Sequence, residues 1–277
     1  MSVRIMVAIH NGSPSGASMA LAAGWARRLG GTIAGLGVVD ESNWAPAPVL
    51  SGGVPAVHQP VDVQLARAAE YVKHSLKQLE EHCKRVGVEY HETYEVGMVG
   101  EEIVTEAQRH DVILLGRGST PDPGLGVPAQ SVLESVLRHS PRPVVVVADR
   151  VEDGRGILVA YDGSLQAARA LQALVASGLC TLGDITILSL DEESAEKADE
   201  HARCAAEYLA IHGIAAECRS QITDKSVQEV IVEEAQRQGV EMLVMGAYGR
   251  SRLAEFFLGS VTSHVIDTSP LPVFLFH

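Results

Sequence analysis

The sequence predicts an α/β protein of two tandem doubly wound domains, each built on a five-stranded parallel sheet. The chain has 277 residues, which suits two domains of about 140 residues better than one. Its two halves repeat one another, and within each half short apolar runs alternate with longer helical patterns, as in βαβ units. A hydrophobic fraction of 46% with 21% charged residues is sufficient for two packed cores.

The repeat consists of three pairs of matched segments. They are IMVAIHNGS (5–13) with ILVAYDGS (157–164), TEAQRHDVILLG (105–116) with EEAQRQGVEMLVMG (233–246), and SPRPVVVV (140–147) with SPLPVFLF (269–276). The offset between matched residues falls from 152 at Val7 and Val159 to 129 at Pro143 and Pro272. The first copy therefore holds about twenty extra residues. We place them in a Pro-, Gly- and Ser-rich loop from Glu41 to Asp62.

These matches set the expected domain boundaries: a first domain over 1–148, a charged linker over 149–156 and a second domain over 157–277. The closing runs VVVV and VFLF are typical of strands covered on both faces, or of an edge buried against a partner. In the second domain the pattern predicts strands near 157–161, 184–190, 214–220, 241–245 and 272–276, with helices near 165–177, 194–212, 225–238 and 260–267.

Composition and charge limit the partners of the protein. The formal net charge is −13 and the pI is near 5.3, so the average surface repels nucleic acid. No apolar run approaches the roughly 18 residues of a membrane helix, and the N-terminus shows no signal-peptide pattern. We expect a cytoplasmic protein that binds neither nucleic acid nor membrane. The four cysteines form no CxxC pair and are interpreted as small buried residues.

The strongest functional pattern is the segment MGAYGRSRLAEFFLGSVTSHVI (245–266), with Gly246-x2-Gly249, nine further residues, and then Gly259-Ser260. The first two glycines follow a parallel strand at its carboxyl end, where open α/β sheets bind ligands. Glycine permits positive φ and close approach of the backbone to a phosphate. The alternative interpretations are an ordinary strand-to-helix turn here and an Asx turn at Asp162.

The start of the next helix adds donors to the same crevice. Its unpaired amide groups and the positive end of its dipole are joined by the hydroxyls of Ser260 and Thr262, and Arg250 and Arg252 add cations. The pattern therefore favours an oligophosphate ligand. The chain has no GxxxxGK[ST] loop, no HExxH motif and no catalytic constellation that we can name. His201 with Cys204 are too few ligands for a metal.

Together with the segment VAYDGS and the terminal Pro-Val strand, this glycine pattern resembles the ATP-binding branch of the universal stress protein family, over essentially the whole chain as a tandem member. The resemblance implies a Rossmann-like fold of the adenine nucleotide alpha hydrolase type. It also implies that ATP or AMP is bound, with Mg²⁺ as a companion of the phosphates. It assigns adenine and ribose to Ala160, Tyr161, Asp162 and Leu190, and ribose and phosphates to Met245, Gly246, Gly249, Arg250, Gly259, Ser260, Val261 and Thr262.

The first copy departs from this pattern. Gly116 is kept, but the later glycines are replaced by Ser119 and Gln130, and the glutamine side chain keeps the backbone away from a phosphate. Three prolines also remove amide donors from the segment, and a histidine replaces the strand-one aspartate; these residues are Pro121, Pro123, Pro128 and His10. We expect no tight ATP site in residues 1–148.

Three functional hypotheses follow, and a metabolic enzyme with an unrelated substrate is the third in order. The first is a cytoplasmic regulatory protein of the stress response that binds ATP or AMP in its C-terminal half and shows at most weak ATP hydrolysis. The second is a slow ATPase or phosphotransferase that uses the same loop with Mg²⁺. The lack of a lysine or general base near the loop favours the first. The resemblance also implies dimerisation through the final strands, and the short linker favours pairing within the chain as a pseudo-twofold dimer. A homodimer is left open.

Overall fold

The computed structural model describes residues 2–10, 16–40, 61–117, 129–151, 153–248 and 259–277. The N-terminal half contains strands β1 (Arg4–Ile9), β2 (Thr32–Asp40), β3 (Glu89–Gly97), β4 (Val112–Gly116) and β5 (Val144–Val147), with helices α1 (Gly16–Leu29), α2 (Val61–Val86), α3 (Val99–Ala107) and α4 (Ala129–His139). The C-terminal half contains strands β6 (Ile157–Ala160), β7 (Ile185–Asp191), β8 (Ala216–Ile222), β9 (Met242–Gly246) and β10 (Val273–Phe276), with helices α5 (Leu165–Ala176), α6 (Ala195–Ile211), α7 (Val227–Gln238) and α8 (Ser260–Thr268).

Each half is a doubly wound sheet of five parallel strands, as the sequence predicts. The strand order is β3-β2-β1-β4-β5 in the first half and β8-β7-β6-β9-β10 in the second. The two sheets are continuous because β5 and β10 pair with each other in the antiparallel sense, with Val145 opposite Phe274. The result is one ten-stranded sheet in which the two copies meet at their last strands.

The core lies on both faces of this sheet. Strand residues alternate between two buried clusters, as the period of two requires: Ile5 and Val7 belong to the cluster that includes α1 and α5, and Met6 and Ala8 to the one that includes α3, α4 and α7. Trp25 and Phe274 are among the largest fully buried side chains. Strands buried on both faces are typical of parallel sheets covered by crossover helices.

In the second half, the described strands and helices begin and end within two residues of the predicted bounds. Three details differ. Helix α2 begins at Val61, so the end of the predicted 41–62 loop lies inside a helix, while 41–60 lie outside the described residues. A 3₁₀ turn at Leu179–Leu182 was not predicted. Cys204 and Cys218 are exposed, so the interpretation of all four cysteines as buried residues is wrong for these two.

Candidate functional site

A cavity of about 460 Å³ opens at the carboxyl ends of β6, β7 and β9. It lies where the strand order reverses between β6 and β9, which is the position at which doubly wound sheets bind ligands. Helices α5 and α6 contribute their amino-terminal ends, and α7 and α8 form the opposite wall. The lining residues are Ala160, Tyr161, Asp162, Ser164, Gln166, Ala167, Leu188, Leu190, Asp191, Glu192, Glu193, Lys197, Val227, Ile231, Met245, Gly246, Val261 and Thr262.

Most of the site residues predicted from the sequence come together here. The cavity is lined by Ala160, Tyr161, Asp162, Leu190, Met245, Gly246, Val261 and Thr262. Gly259 and Ser260 are not in its lining but begin α8, next to Val261. Gly249 and Arg250 lie outside the described residues. The ligand that each residue contacts stays a prediction.

Asp162 has a structural role as well as a place in the cavity wall. One carboxylate oxygen accepts a hydrogen bond from the amide of Ser164 at 3.0 Å, which is the Asx turn considered as the alternative for this residue. Ser164 in turn caps α5, because its hydroxyl accepts from the amide of Ala167 at 3.2 Å. The turn fixes the carboxyl group of Asp162 at the end of β6, where it faces the cavity.

Positive φ does not explain either of the two described glycines of this pattern, Gly246 and Gly259. Neither Gly246 nor Gly259 has positive φ; Gly259 is the N-cap of α8 at φ −57°. A Cβ at Gly246 would lie 2.6 Å from the carbonyl carbon of Gln166 and 2.7 Å from the amide nitrogen of Ala167. Gly246 is therefore required by the packing of α5 against β9. The left-handed conformation is found instead at Tyr248, with φ 63°.

The first turn of α8 supplies the donors for an anion. A helix of this length leaves its first amide groups without intrahelical partners, and they lie at the positive end of the helix dipole. Val261 and Thr262 bring this turn into the cavity wall. The hydroxyl of Thr262 is 3.5 Å from the carbonyl oxygen of Gly246, which links α8 to the end of β9. This geometry suits a phosphate or a carboxylate at the α8 end of the cavity.

The opposite end of the cavity is acidic, which the sequence analysis missed. Asp191, Glu192 and Glu193 lie at the end of β7 and the entry to α6. Asp191 accepts hydrogen bonds from the amides of Glu193 and Ser194, both at 3.0 Å, and these bonds lower its pKa to about 2. Its other oxygen is 3.2 Å from the ammonium of Lys197. The sequence does contain a signal for this part of the site: Asp-x2-Ser (191–194) is typical of a capped helix start.

The corresponding strand ends of the N-terminal half are more deeply buried. By strand register, Ala8, Leu36, Val38 and Leu115 correspond to Ala160, Leu188, Leu190 and Met245, and all four are buried. Ala160 and Leu190, in contrast, are only partly buried. In α4, Leu133 occupies the position of Thr262, so an apolar side chain replaces a hydroxyl.

The polar residues of this region also differ. His10, at the position of Asp162, is 1% exposed, and so is Asp40 at the end of β2. Gln130 lies within α4, which begins at Ala129, whereas its counterpart Gly259 precedes α8. Ser119, Pro121, Pro123 and Pro128 lie outside the described residues.

The chain is a tandem α/β protein, and the second of its doubly wound sheets has a cavity at the switch point, where such sheets bind ligands. The model of the universal stress protein family matches residues 1–148 and 155–277, so the chain belongs to that family. This result confirms the resemblance found in the sequence.

Individual relatives support the assignment. The chain is 29% identical over 168 residues to universal stress protein Slr1230 of Synechocystis, a match that covers 60% of this chain and 58% of that protein. It is 47% identical over 45 residues to universal stress protein MJ0577 of Methanocaldococcus jannaschii, over 16% of this chain and 28% of that protein. A universal stress protein from Archaeoglobus fulgidus shares the fold, with a TM-score of 0.68 at 23% identity and coverage of 98% and 97% of the two chains.

None of the described helices is both long enough and apolar enough to cross a membrane. Over the described residues, no group of three or more His, Cys, Asp or Glu side chains is arranged as a metal site.

Proposed function

We propose that the C-terminal half binds an adenine nucleotide, ATP or its hydrolysed form AMP, and that the protein is a regulatory component of the stress response in the cytoplasm. The observation that carries this proposal is the cavity itself, in which the ends of β6, β7 and β9 and the first turn of α8 converge. Its volume of about 460 Å³ lies within the range of small-molecule sites, roughly 300–1,000 Å³.

The cavity has a wall suited to each part of a nucleotide. Ala160, Leu188 and Leu190 offer apolar surface to the base, and Asp162 is placed to accept from ribose hydroxyls. The phosphates are directed to Gly246 and the amino end of α8, since the acidic end near Asp191 repels them. Gly249, Arg250, Gly259 and Ser260 complete the proposed phosphate site.

The competing proposal is a slow ATPase or phosphotransferase that acts with Mg²⁺. The carboxylates of Asp162 and Asp191 in the cavity wall are oxygen ligands of the kind that Mg²⁺ prefers. The sequence predicts no lysine near the glycine pattern of residues 246–260, whereas in the structure Lys197 lines the cavity. It is paired with Asp191 on the α6 side rather than with the α8 turn, so we propose binding rather than catalysis.

The N-terminal half has a different role in this proposal. Residues 1–148 hold no tight nucleotide site, because Gln130 and the buried His10 replace Gly259 and Asp162, and together with 157–277 they form an intrachain pseudo-dimer through β5 and β10. A homodimer would use other surfaces. The net charge of −13 argues against nucleic acid as a partner, and four free thiols suit a reducing compartment.

Nucleotide released from the purified protein is the direct test. The protein is purified without added nucleotide and denatured, and the supernatant is separated by anion-exchange chromatography against ATP, ADP and AMP standards. We expect an adenine nucleotide in a constant ratio to protein. Conversion of added ATP to ADP by the wild type, dependent on Mg²⁺, would favour the competing proposal.

Gly259→Gln tests the assignment of the phosphate site. This change copies the first repeat and places a side chain at the N-cap of α8, where the φ of −57° is open to any residue. We expect at least a hundredfold loss of ATP affinity in a calorimetric titration, about 2.7 kcal/mol, with little change in thermal stability. Gly16→Gln is the matched control, because Gly16 also begins a helix and a Cβ there meets nothing within 4 Å. Equal affinity of the two variants would overturn the site.

A further inference from the structure

The N-terminal half contacts the helix that forms the proposed phosphate site. Arg117 follows β4 directly, and its Nη1 lies 2.8 Å from the carbonyl oxygen of Ile266 and 3.0 Å from those of Asp267 and Ser269. These carbonyls form the carboxyl end of α8 and have no partner further along the helix. A guanidinium at this end also complements the negative pole of the helix dipole. The helix whose first turn faces the cavity is thus held at its last turn by the other half of the chain.

The loop that leaves the cavity makes the reverse contact. Tyr248 lies two residues after Gly246, and its hydroxyl donates to the carbonyl oxygen of Glu134 in α4 at 3.3 Å. Its ring packs edge-on against His277, with centroids 5.8 Å apart. A positive φ is uncommon for a side chain of this size, and local contacts must stabilise it. The contact with α4 therefore helps to hold Tyr248 in place just after β9.

The two contacts are related by the repeat. Helix α4 is the counterpart of α8, and Gly116 is the counterpart of Gly246. In each half, the segment after the fourth strand reaches across β5 and β10 to the last helix of the other half. Of these two helices, α8 forms part of the wall of the described cavity. The paired contacts therefore tie the geometry of this cavity to the other half of the chain.

We propose that Arg117 and the Tyr248–Glu134 contact are positioning elements for nucleotide binding in the C-terminal half. Arg117 fixes the axis of α8 and hence the direction of its first amide groups. The contact of Tyr248 with α4 fixes the chain just after β9, next to Gly246 in the cavity wall. The N-terminal half is thereby required for tight binding although it holds no nucleotide. This inference rests on the proposed function of the cavity.

The test compares variants of the full chain that break contacts between the halves at opposite ends of the strands. Arg117→Ala removes the hydrogen bonds to α8. Arg117→Lys keeps the positive charge but lacks the planar guanidinium with its several N–H donors. Tyr248→Phe removes only the hydroxyl. Arg28→Ala is the matched control. Arg28 also joins the halves, through Glu241 at 2.5 Å, but Glu241 precedes β9 at its amino end, a strand length of roughly 16 Å from Gly246.

Binding of ATP and AMP is measured by calorimetry, and backbone amide exchange over 260–269 by mass spectrometry. We expect about tenfold weaker binding for Arg117→Ala, partial recovery in Arg117→Lys and about threefold weaker binding for Tyr248→Phe. Arg28→Ala should stay within twofold of the wild type even if its melting temperature falls. Exchange in α8 should accelerate in Arg117→Ala and not in Arg28→Ala.

Two results would overturn the inference. One is equal affinity of Arg117→Ala and Arg28→Ala, whether both match the wild type or both weaken in proportion to lost stability. The other is unchanged exchange in α8 when Arg117 is replaced. If the wild type binds neither nucleotide, the proposed function fails, and the exchange measurement alone then decides whether Arg117 positions α8.

Discussion

At the scale of single residues, the two glycines that frame the cavity act in different ways. Gly259 is the N-cap of α8 at an ordinary φ, so its lack of a side chain matters only for the proposed nucleotide at the first turn of α8. Gly246 lies against the backbone of α5, and its lack of a side chain matters for the fold itself. A substitution at Gly259 should therefore change binding, whereas a substitution at Gly246 should change stability.

Gly246→Ala should destabilise the protein by about 1–3 kcal/mol, because the added Cβ meets backbone atoms that cannot rotate away. The free energy of unfolding is measured by urea denaturation. Gly24→Ala is the matched control: Gly24 lies inside α1, a Cβ there meets nothing within 4 Å, and helix propensity predicts a gain of about 0.5–1 kcal/mol. Similar unfolding curves for the two variants would show that Gly246 is not packed as described.

The sequence predicts part of the site at this scale. Asp162 and Gly246 could be found because they end apolar strands and are followed by turn residues, a signal contained in a few neighbouring positions. The acidic end around Asp191 has the same kind of local signal. Tyr248 does not, because its contact with Glu134 joins residues 114 positions apart and its left-handed φ contradicts the local preference of tyrosine.

At the scale of elements, the wall formed by α7 is fixed by a group of ion pairs. Glu234 in α7 accepts hydrogen bonds from Arg237 at 2.6 and 2.7 Å, from Gln238 at 2.7 Å and from Arg219 of β8 at 3.1 Å. These bonds lower the pKa of Glu234 to about 2. The same helix presents Val227 and Ile231 to the cavity. Glu234 thus joins the helix that lines the site to the edge of the sheet.

Stability should depend on pH through Glu234. Its pKa falls on folding from 4.5 to about 2, so its contribution is complete above pH 4.5 and is lost as the pH falls towards 2. Glu234→Gln should cost roughly 1 kcal/mol at pH 6, and the difference from the wild type should shrink between pH 4.5 and pH 2.5. Glu233→Gln, which affects only the exposed pair with Lys225, should cost less. A difference that does not change with pH would contradict this role.

Element bounds were largely predictable, and the exceptions have physical causes. Strands and helices of the second half follow from apolar runs and helical periodicity, which are local signals. The 3₁₀ turn at Leu179–Leu182 has no period of its own and is held by packing against α1 of the other half. The deeper burial of Ala8 and Val38, compared with Ala160 and Leu190, could not be predicted, because these residues fit a strand pattern in both halves.

At the scale of the whole molecule, the halves are joined at both ends of the strands. At the amino ends, Glu241 accepts from Trp25 Nε1 at 2.6 Å and from Arg28 at 2.5 and 2.7 Å, and Arg28 also donates to the carbonyl oxygen of Leu182. Trp25 is fully buried, so its indole N–H has to be paired within the protein. Arg117 and Tyr248 join the halves at the carboxyl ends. With β5 and β10 between them, the two copies share one core and should unfold together.

Val146→Pro tests whether this shared core makes unfolding cooperative. The carbonyls of Pro143 and Val147 accept from β4, so alternate residues of β5 face β4 and Val146 faces Val273 of β10. Proline at position 146 therefore removes a ladder donor at the junction, whereas Val146→Ala removes similar apolar volume and keeps the donor. The proline variant should lose about 1–3 kcal/mol more than the alanine variant, the cost of the unpaired carbonyl. It should also unfold in two separate transitions by calorimetry, where the wild type and Val146→Ala show one. X-ray scattering should give the wild type a radius of gyration near the compact-chain value of about 19 Å, and the proline variant a larger one. Two separated lobes in the wild type, or a single unchanged transition in the proline variant, would mean that β5 and β10 do not hold the halves together in solution.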